Sequence, residues 1–194
     1  MTPRRILIGG GARSGKSAFA LRRARSLGER RLFVATAEAL DDEMRARVAR
    51  HREERGADFV TVEAPVDLAA AIARGAASER ADVAVVDCLT LWIANLVMRG
   101  CDSAAVAARC DELGALLDDP PCHVVLVTNE VGFGIVPDHP LGRAFRDAVG
   151  LAHQRLAPRC DELYLGALGV LLRLRPEPVA VVPRAAAQSG EPPA

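Results

Sequence analysis

The stretch Gly10-Gly11-Ala12-Arg13-Ser14-Gly15-Lys16-Ser17 follows the apolar run Ile6-Leu7-Ile8 and leads into a helix-forming segment from Ala18 to Leu27. The order strand, glycine loop, helix and the spacing G-x-x-x-x-G-K-S/T define a phosphate-binding loop. Its glycines let the backbone curl until several N–H groups and the helix N-terminus point at one anion. In that arrangement Lys16 reaches the β- and γ-phosphates of a nucleotide, the Ser17 hydroxyl holds Mg²⁺, and Arg13 adds a cation within the loop. Composition sharpens the assignment, because Lys16 is the one lysine among 25 Lys and Arg residues. Wherever a positive charge had only to be solvated, arginine stands instead.

Working outward, Arg31-Leu32-Phe33-Val34-Ala35-Thr36 reads as a buried strand, and Asp41 or Asp42 as the cap of a helix from Glu43 to about Arg55. Phe59 to Glu63 reads as a strand, and Pro65 to Ala77 as an alanine-rich helix begun by proline. Asp82-Val83-Ala84-Val85-Val86-Asp87 has the pattern of a central parallel strand closed by a carboxylate, the Walker B position. Helices are expected at Leu89 to Met98, Ala104 to Leu117 and Leu141 to Leu156. A buried strand from Val124 to Val127 ends at Thr128-Asn129-Glu130, and two last strands span Glu162 to Leu165 and Val170 to Leu174. The loop Gly132-Phe133-Gly134-Ile135-Val136-Pro137 is too apolar for a plain connector and is expected to lie over something. Residues 1–175 therefore read as one catalytic domain, and the proline- and alanine-rich residues 176–194 as a flexible tail.

Strands alternating with helices predict a mostly parallel sheet covered on both faces, with ligands at the carboxyl ends of the strands. The glycine loop, Thr36, Asp87 and Asn129-Glu130 all fall at such ends. At 194 residues the chain is one ordinary domain, and its zero formal net charge gives no overall field to draw nucleic acid or an anionic membrane. Five cysteines without C-x-x-C spacing argue against a metal cluster or disulfide framework and read as reduced thiols of a cytoplasmic protein. No apolar run is long enough for a membrane span, and the first five residues lead into the first strand without a signal pattern.

Two residues carry a choice between chemistry and packing. Asp87 fits a helix cap, but beside a phosphate loop its carboxylate also fits a Mg²⁺ ligand or a holder of the attacking hydroxyl. His51 lines up with Met44 and Val48 as a packed core residue would. It also stands among Arg47, Arg50, Arg52 and Arg55, where an imidazole nitrogen has the surroundings to attack phosphorus. His123, His139 and His153 share no ligand spacing and read as structural or surface residues.

Taken together, GGARSGKS (Gly10 to Ser17), LDDEMRARVARHREER (Leu40 to Arg55), VDCLTLWIANL (Val86 to Leu96), TNEVGFGIVP (Thr128 to Pro137) and RAFRDAVG (Arg143 to Gly150) resemble a known family. It is the bifunctional adenosylcobinamide kinase / adenosylcobinamide-phosphate guanylyltransferase family of cobalamin biosynthesis. The resemblance implies an α/β fold of the P-loop NTPase, RecA-like type. It implies phosphorylation of adenosylcobinamide by ATP or GTP, then transfer of GMP from GTP through a covalent histidine adduct. On this sequence the histidine of H-R-x-x-R falls on His51. The implied nucleotide contacts fall on the phosphate loop, Ala35, Thr36, Ala37, Arg52, Glu53, Glu54, Arg55, Glu63 and Asp87, with Mg²⁺ at Ser17 and Asp87. The resemblance also implies a homotrimer. Phe59 departs from a common tryptophan and His153 from an asparagine. A single-activity phosphate-loop kinase, in which His51 is merely packed and no GMP adduct forms, and a nucleotide-dependent switch module, which leaves the arginine-histidine helix unexplained, are the rival readings.

Overall fold

Ile6, Ile8, Val83, Val85, Val125 and Val127 face one side of a sheet, while Leu7, Ala84, Val86, Val124 and Leu126 face the other. Strands buried on both sides need helices on both sides, and each side of this sheet packs against a separate helical layer. The structure, a computed structural model, describes residues 2–38 and 42–182, save the side chains of residues 43, 44, 47, 48, 50, 51 and 54.

The elements in chain order are β1 (Arg5–Gly10), α1 (Lys16–Arg25), β2 (Arg31–Ala35), α2 (Asp42–Arg55), β3 (Val60–Glu63), α3 (Leu68–Glu79), β4 (Val83–Asp87) and α4 (Leu89–Met98). They continue as α5 (Ser103–Asp118), β5 (His123–Val127), α6 (Pro140–Leu156), β6 (Glu162–Ala167), β7 (Val170–Arg175) and β8 (Ala180–Val182). Among the described residues the sheet order is β3-β2-β4-β5-β1-β6-β7-β8, parallel from β3 to β6 and antiparallel over the last two pairings. Phe19, Ala20 and Ala24 of α1 fill one layer; α3, α4, α5 and α6 fill the other around Ile72, Trp92, Leu113 and Leu156. The five cysteines are free thiols. No helix among the described residues is long and apolar enough to cross a membrane.

Three expectations change. The helix expected from Pro65 begins at Leu68, because α4 claims the carbonyls of the bend before it: Asn95 Nδ2 donates to the Pro65 carbonyl (3.1 Å) and Trp92 Nε1 to that of Val66 (2.7 Å). The sheet runs past residue 175, since β8 pairs with β7; residues 183–194 lie outside the described residues. The apolar loop at Gly132 to Pro137 does not cover other described residues, for Phe133, Ile135 and Val136 are exposed. The expected cap at Asp41 lies outside the described residues, while α2 starts at Asp42.

Candidate active site

β1 ends at Gly10, squeezed between β5 and β6. At φ +150° a Cβ on Gly10 would come within 2.6 Å of the Gly166 carbonyl oxygen and 2.8 Å of Ser14 Oγ, so only glycine lets the chain turn here. Gly15, at φ 83°, caps α1 in the left-handed region and aims the first turn of the helix into the loop. Lys16 opens that helix, is nearly buried, and donates from Nζ to the Gly11 carbonyl (3.1 Å). The loop is thus closed around its own lysine, in the geometry that cradles phosphate oxygens.

Beyond Lys16 and Ser17 a cleft opens at the carboxyl ends of β2, β3 and β4. Phe33, Ala35, Ala37, Arg52, Arg55, Thr61, Glu63, Asp87, Cys88, Leu91 and Asn129 complete its wall, which mixes apolar side chains with a few converging charged and polar groups, the make-up of a small-molecule site. Residues far apart in sequence, from Lys16 to Asn129, therefore share one site. Arg55 is buried, lies 3.9 Å over the Phe33 ring and donates to Thr61 Oγ1 (3.2 Å). Burial, then the charge of Arg52, pulls its guanidinium below the usual arginine range, while Asp87 works the other way. Arg52 pairs with Glu63 across the opening (3.3 Å).

Thr36 plays a different part. It is fully buried, its hydroxyl bonds both backbone groups of Cys88, and its carbonyl accepts from Asn95 Nδ2 (2.8 Å). It positions the end of β4, and so Asp87, from behind. Ala35 and Ala37 on either side do line the cleft, whereas Glu53 is exposed and lies away from the wall. His51 and Glu54 stand on α2, but their side chains lie outside the described residues. Cys88 is not a nucleophile in waiting, since burial, helped by Asp87, pushes its thiol up to about 11.

Several contacts around the site carry no sequence signal. Thr90 Oγ1 accepts from the Asn129 N–H (2.6 Å) and bonds Thr128 Oγ1 (3.2 Å), which meets His153 Nε2 (2.8 Å). His153 Nδ1 faces Glu130 (3.6 Å). This chain of polar groups fixes the tip of β5, and burial keeps the His153 imidazole toward its neutral form despite the Glu130 charge. His123 accepts from the Arg4 N–H (2.8 Å) and His139 caps α6, in line with structural roles. Phe59 lies outside the cleft; it packs edge-on against Phe33 at 6.4 Å and so backs the plate on which Arg55 rests. For Mg²⁺, Ser17 and Asp87 offer hard oxygen donors in one cleft, and their chemistry fits an ion that takes its remaining ligands from phosphates. Among the described residues no group of three or more His, Cys, Asp or Glu side chains forms a protein-only metal site.

The family model described as CobU, cobinamide kinase / cobinamide phosphate guanyltransferase, matches residues 6–174. The chain is 40% identical over 176 residues to the bifunctional adenosylcobalamin biosynthesis protein CobP of Pseudomonas aeruginosa, covering 90% of this chain and 99% of that protein. It is 38% identical over 185 residues to the bifunctional adenosylcobalamin biosynthesis protein CobU of Salmonella typhimurium, covering 88% and 99%. Among solved structures it resembles a KaiC-like protein of the hyperthermophilic archaeon Pyrococcus horikoshii (TM-score 0.50, 16% identity, covering 92% of this chain and 78% of that one) and the RadB recombinase (TM-score 0.50, 17% identity, 93% and 87%). Those two likenesses show a RecA-like P-loop fold.

Proposed function

The chain belongs to the cobinamide kinase / cobinamide phosphate guanyltransferase family of cobalamin biosynthesis, and from that premise we propose a two-step mechanism on one nucleotide cleft. The observation that carries it is the meeting of Lys16, Ser17, Arg52, Arg55, Glu63 and Asp87 around that cleft, with the helix bearing His51 along its rim. In the first step the aminopropanol hydroxyl of adenosylcobinamide attacks the γ-phosphorus of ATP or GTP. The bond to the β-phosphate oxygen breaks, the nucleoside diphosphate leaves, and the alcohol proton passes to Asp87 or to water. Lys16 and the loop N–H groups hold the phosphate oxygens as charge shifts toward the leaving group.

In the second step an imidazole nitrogen of His51 attacks the α-phosphorus of GTP. Pyrophosphate leaves and the imidazole proton goes to solvent. A phosphate oxygen of adenosylcobinamide phosphate then displaces the histidine, breaking the phosphorus–nitrogen bond and giving adenosylcobinamide-GDP. Splitting one displacement into two lets pyrophosphate depart before the bulky acceptor reacts. Arg52 and Arg55 balance charge on the α-phosphate, and Glu63 accepts from ribose hydroxyls or guanine N–H groups. Mg²⁺ held by Ser17 and Asp87 would neutralise phosphate charge in both steps. The working form in this reading is a cytoplasmic homotrimer of single catalytic domains that engages no nucleic acid.

Intact mass after incubation with GTP and Mg²⁺ tests the proposal. The wild type should gain the mass of GMP in an acid-labile, alkali-stable linkage. His51→Ala should gain nothing yet still phosphorylate adenosylcobinamide, with circular dichroism confirming the fold. An adduct that persists in His51→Ala moves the nucleophile elsewhere, and a wild type without an adduct ends the transferase reading.

A further inference from the structure

The phosphate loop has a second side. Away from the cleft, Gly11 to Ser14 form one wall of a groove completed by Glu130, Phe133, the end of β6 from Leu165 and the Leu168-Gly169 turn. Ser14 Oγ in that wall is buried and has no hydrogen-bond partner among the described residues. The groove is flanked by apolar side chains facing water: Phe133 is 83% exposed and Leu168 fully so. Leu168 also sits at φ 51°, a left-handed conformation rarely adopted by leucine. Nothing in the turn itself calls for a large apolar residue there.

The loop that carries Phe133 is braced rather than slack. Glu130 donates its backbone N–H to the Gly10 carbonyl (3.1 Å), and its carboxylate accepts from the Gly132 N–H (2.9 Å). Arg146 on α6 donates to the Gly132 carbonyl (2.6 Å), and Arg143 to those of Pro137 (3.0 Å) and Asp138 (2.6 Å). Phe133 is thereby held at a fixed offset from the phosphate loop, as a ligand platform must be.

We propose that this groove is the acceptor site, where a face of the cobinamide macrocycle lies on Phe133 and Leu168 and its alcohol arm points at the phosphate loop. The inference rests on the reading of the opposite cleft as the guanosine site. If Arg52, Arg55 and Glu63 hold the nucleoside there, the acceptor reaches the same phosphates from the other flank. Cobinamide is a broad disk fringed with amides, and the groove offers an apolar flank at Phe133 and Leu168 beside polar groups at Arg13, Ser14 and Glu130. A nucleobase asks for a narrow slot with donors and acceptors along its edge.

Phe133→Ala and Leu168→Asn test this in the full chain, since both side chains face water and asparagine tolerates the left-handed backbone at residue 168. Each variant should raise the kinase KM for adenosylcobinamide about tenfold or more while the KM for nucleotide and the oligomer size in sedimentation stay put. An unchanged acceptor KM in a competent enzyme overturns the groove alone. A shift in nucleotide KM instead makes the groove a base slot, and a change in oligomer size makes the patch a subunit contact; either overturns the proposal. A wild type unable to phosphorylate cobinamide overturns it together with the reading on which it rests.

Discussion

Thr36 Oγ1 accepts from the Cys88 N–H at 2.7 Å and donates to the Cys88 carbonyl at 2.8 Å, so one buried hydroxyl fixes the residue that follows Asp87. Thr36→Val keeps the shape and leaves both backbone groups unpaired. We expect a loss of about 1–3 kcal/mol in urea unfolding, with a fall in kinase kcat as Asp87 shifts. Thr36→Ser should recover most of both. A Thr36→Val enzyme with wild-type stability would mean that this hydroxyl does not hold Cys88 in place.

Lys16 spans the phosphate loop, its Nζ donating to the Gly11 carbonyl on the far side. Lys16→Ala should fold normally and lose kinase turnover by a factor on the order of 10²–10³, the scale set by removing one preorganised group that stabilises a transition state. Steady-state rates at saturating nucleotide provide the check; near-normal turnover would rule out this loop as the phosphate site.

Asp87 closes β4 at the cleft wall. Asp87→Asn removes charge without changing shape, so the Mg²⁺ concentration for half-maximal kinase activity should rise and kcat should fall. A variant that loses thermal stability while its Mg²⁺ titration is unchanged would give Asp87 a structural role only, since Cys88 is the residue that caps α4.

On the underside of the sheet, Glu162 is nearly buried and meets Arg23 (2.6 Å), Arg4 (2.9 Å) and Tyr164 (2.7 Å). Burial works to raise its carboxyl, but these hydrogen bonds and charges outweigh it and hold Glu162 below the ordinary value of 4.5. A carboxyl with a depressed folded-state pKa contributes stability above its unfolded value and loses it as pH falls through the folded value. Glu162→Gln should therefore cost about 3 kcal/mol at neutral pH. That gap to the wild type should narrow below pH 4.5. Urea midpoints on either side of that value measure it, and a gap independent of pH would assign the loss to packing.

What could be read from sequence was what chemistry writes locally. The phosphate loop needs glycine at positions such as Gly10 and Gly15 and a lysine at a set distance, so its pattern survives in one dimension. Asp87 was legible because a carboxylate ends an otherwise apolar strand. The pairing of Thr90, Thr128 and His153 left no trace, since each is a lone polar residue whose partners arrive from other elements. Pro65 misled because proline suits a first helical turn, while the carbonyls that α4 claims there belong to a tertiary contact. β8 was hidden among prolines that ordinarily argue against a strand. The loop after Gly132 stands out for its apolar residues, but hydrophobicity alone does not say whether such side chains pack on the rest of the chain or face water, as Phe133, Ile135 and Val136 do.

The two rims of the sheet are also its exposed hydrogen-bonding edges, and an open edge is a template on which another copy can polymerise. On one rim, β3 is four residues long; on the other, β8 is three residues long and follows Pro176 and Pro178, which have no N–H to donate. Among the described residues neither rim offers a long, flat row of free donors and acceptors. Resistance to edge-to-edge aggregation is thus written into the shortest strands of the sheet, one of which, β3, also carries Thr61 and Glu63 to the cleft wall.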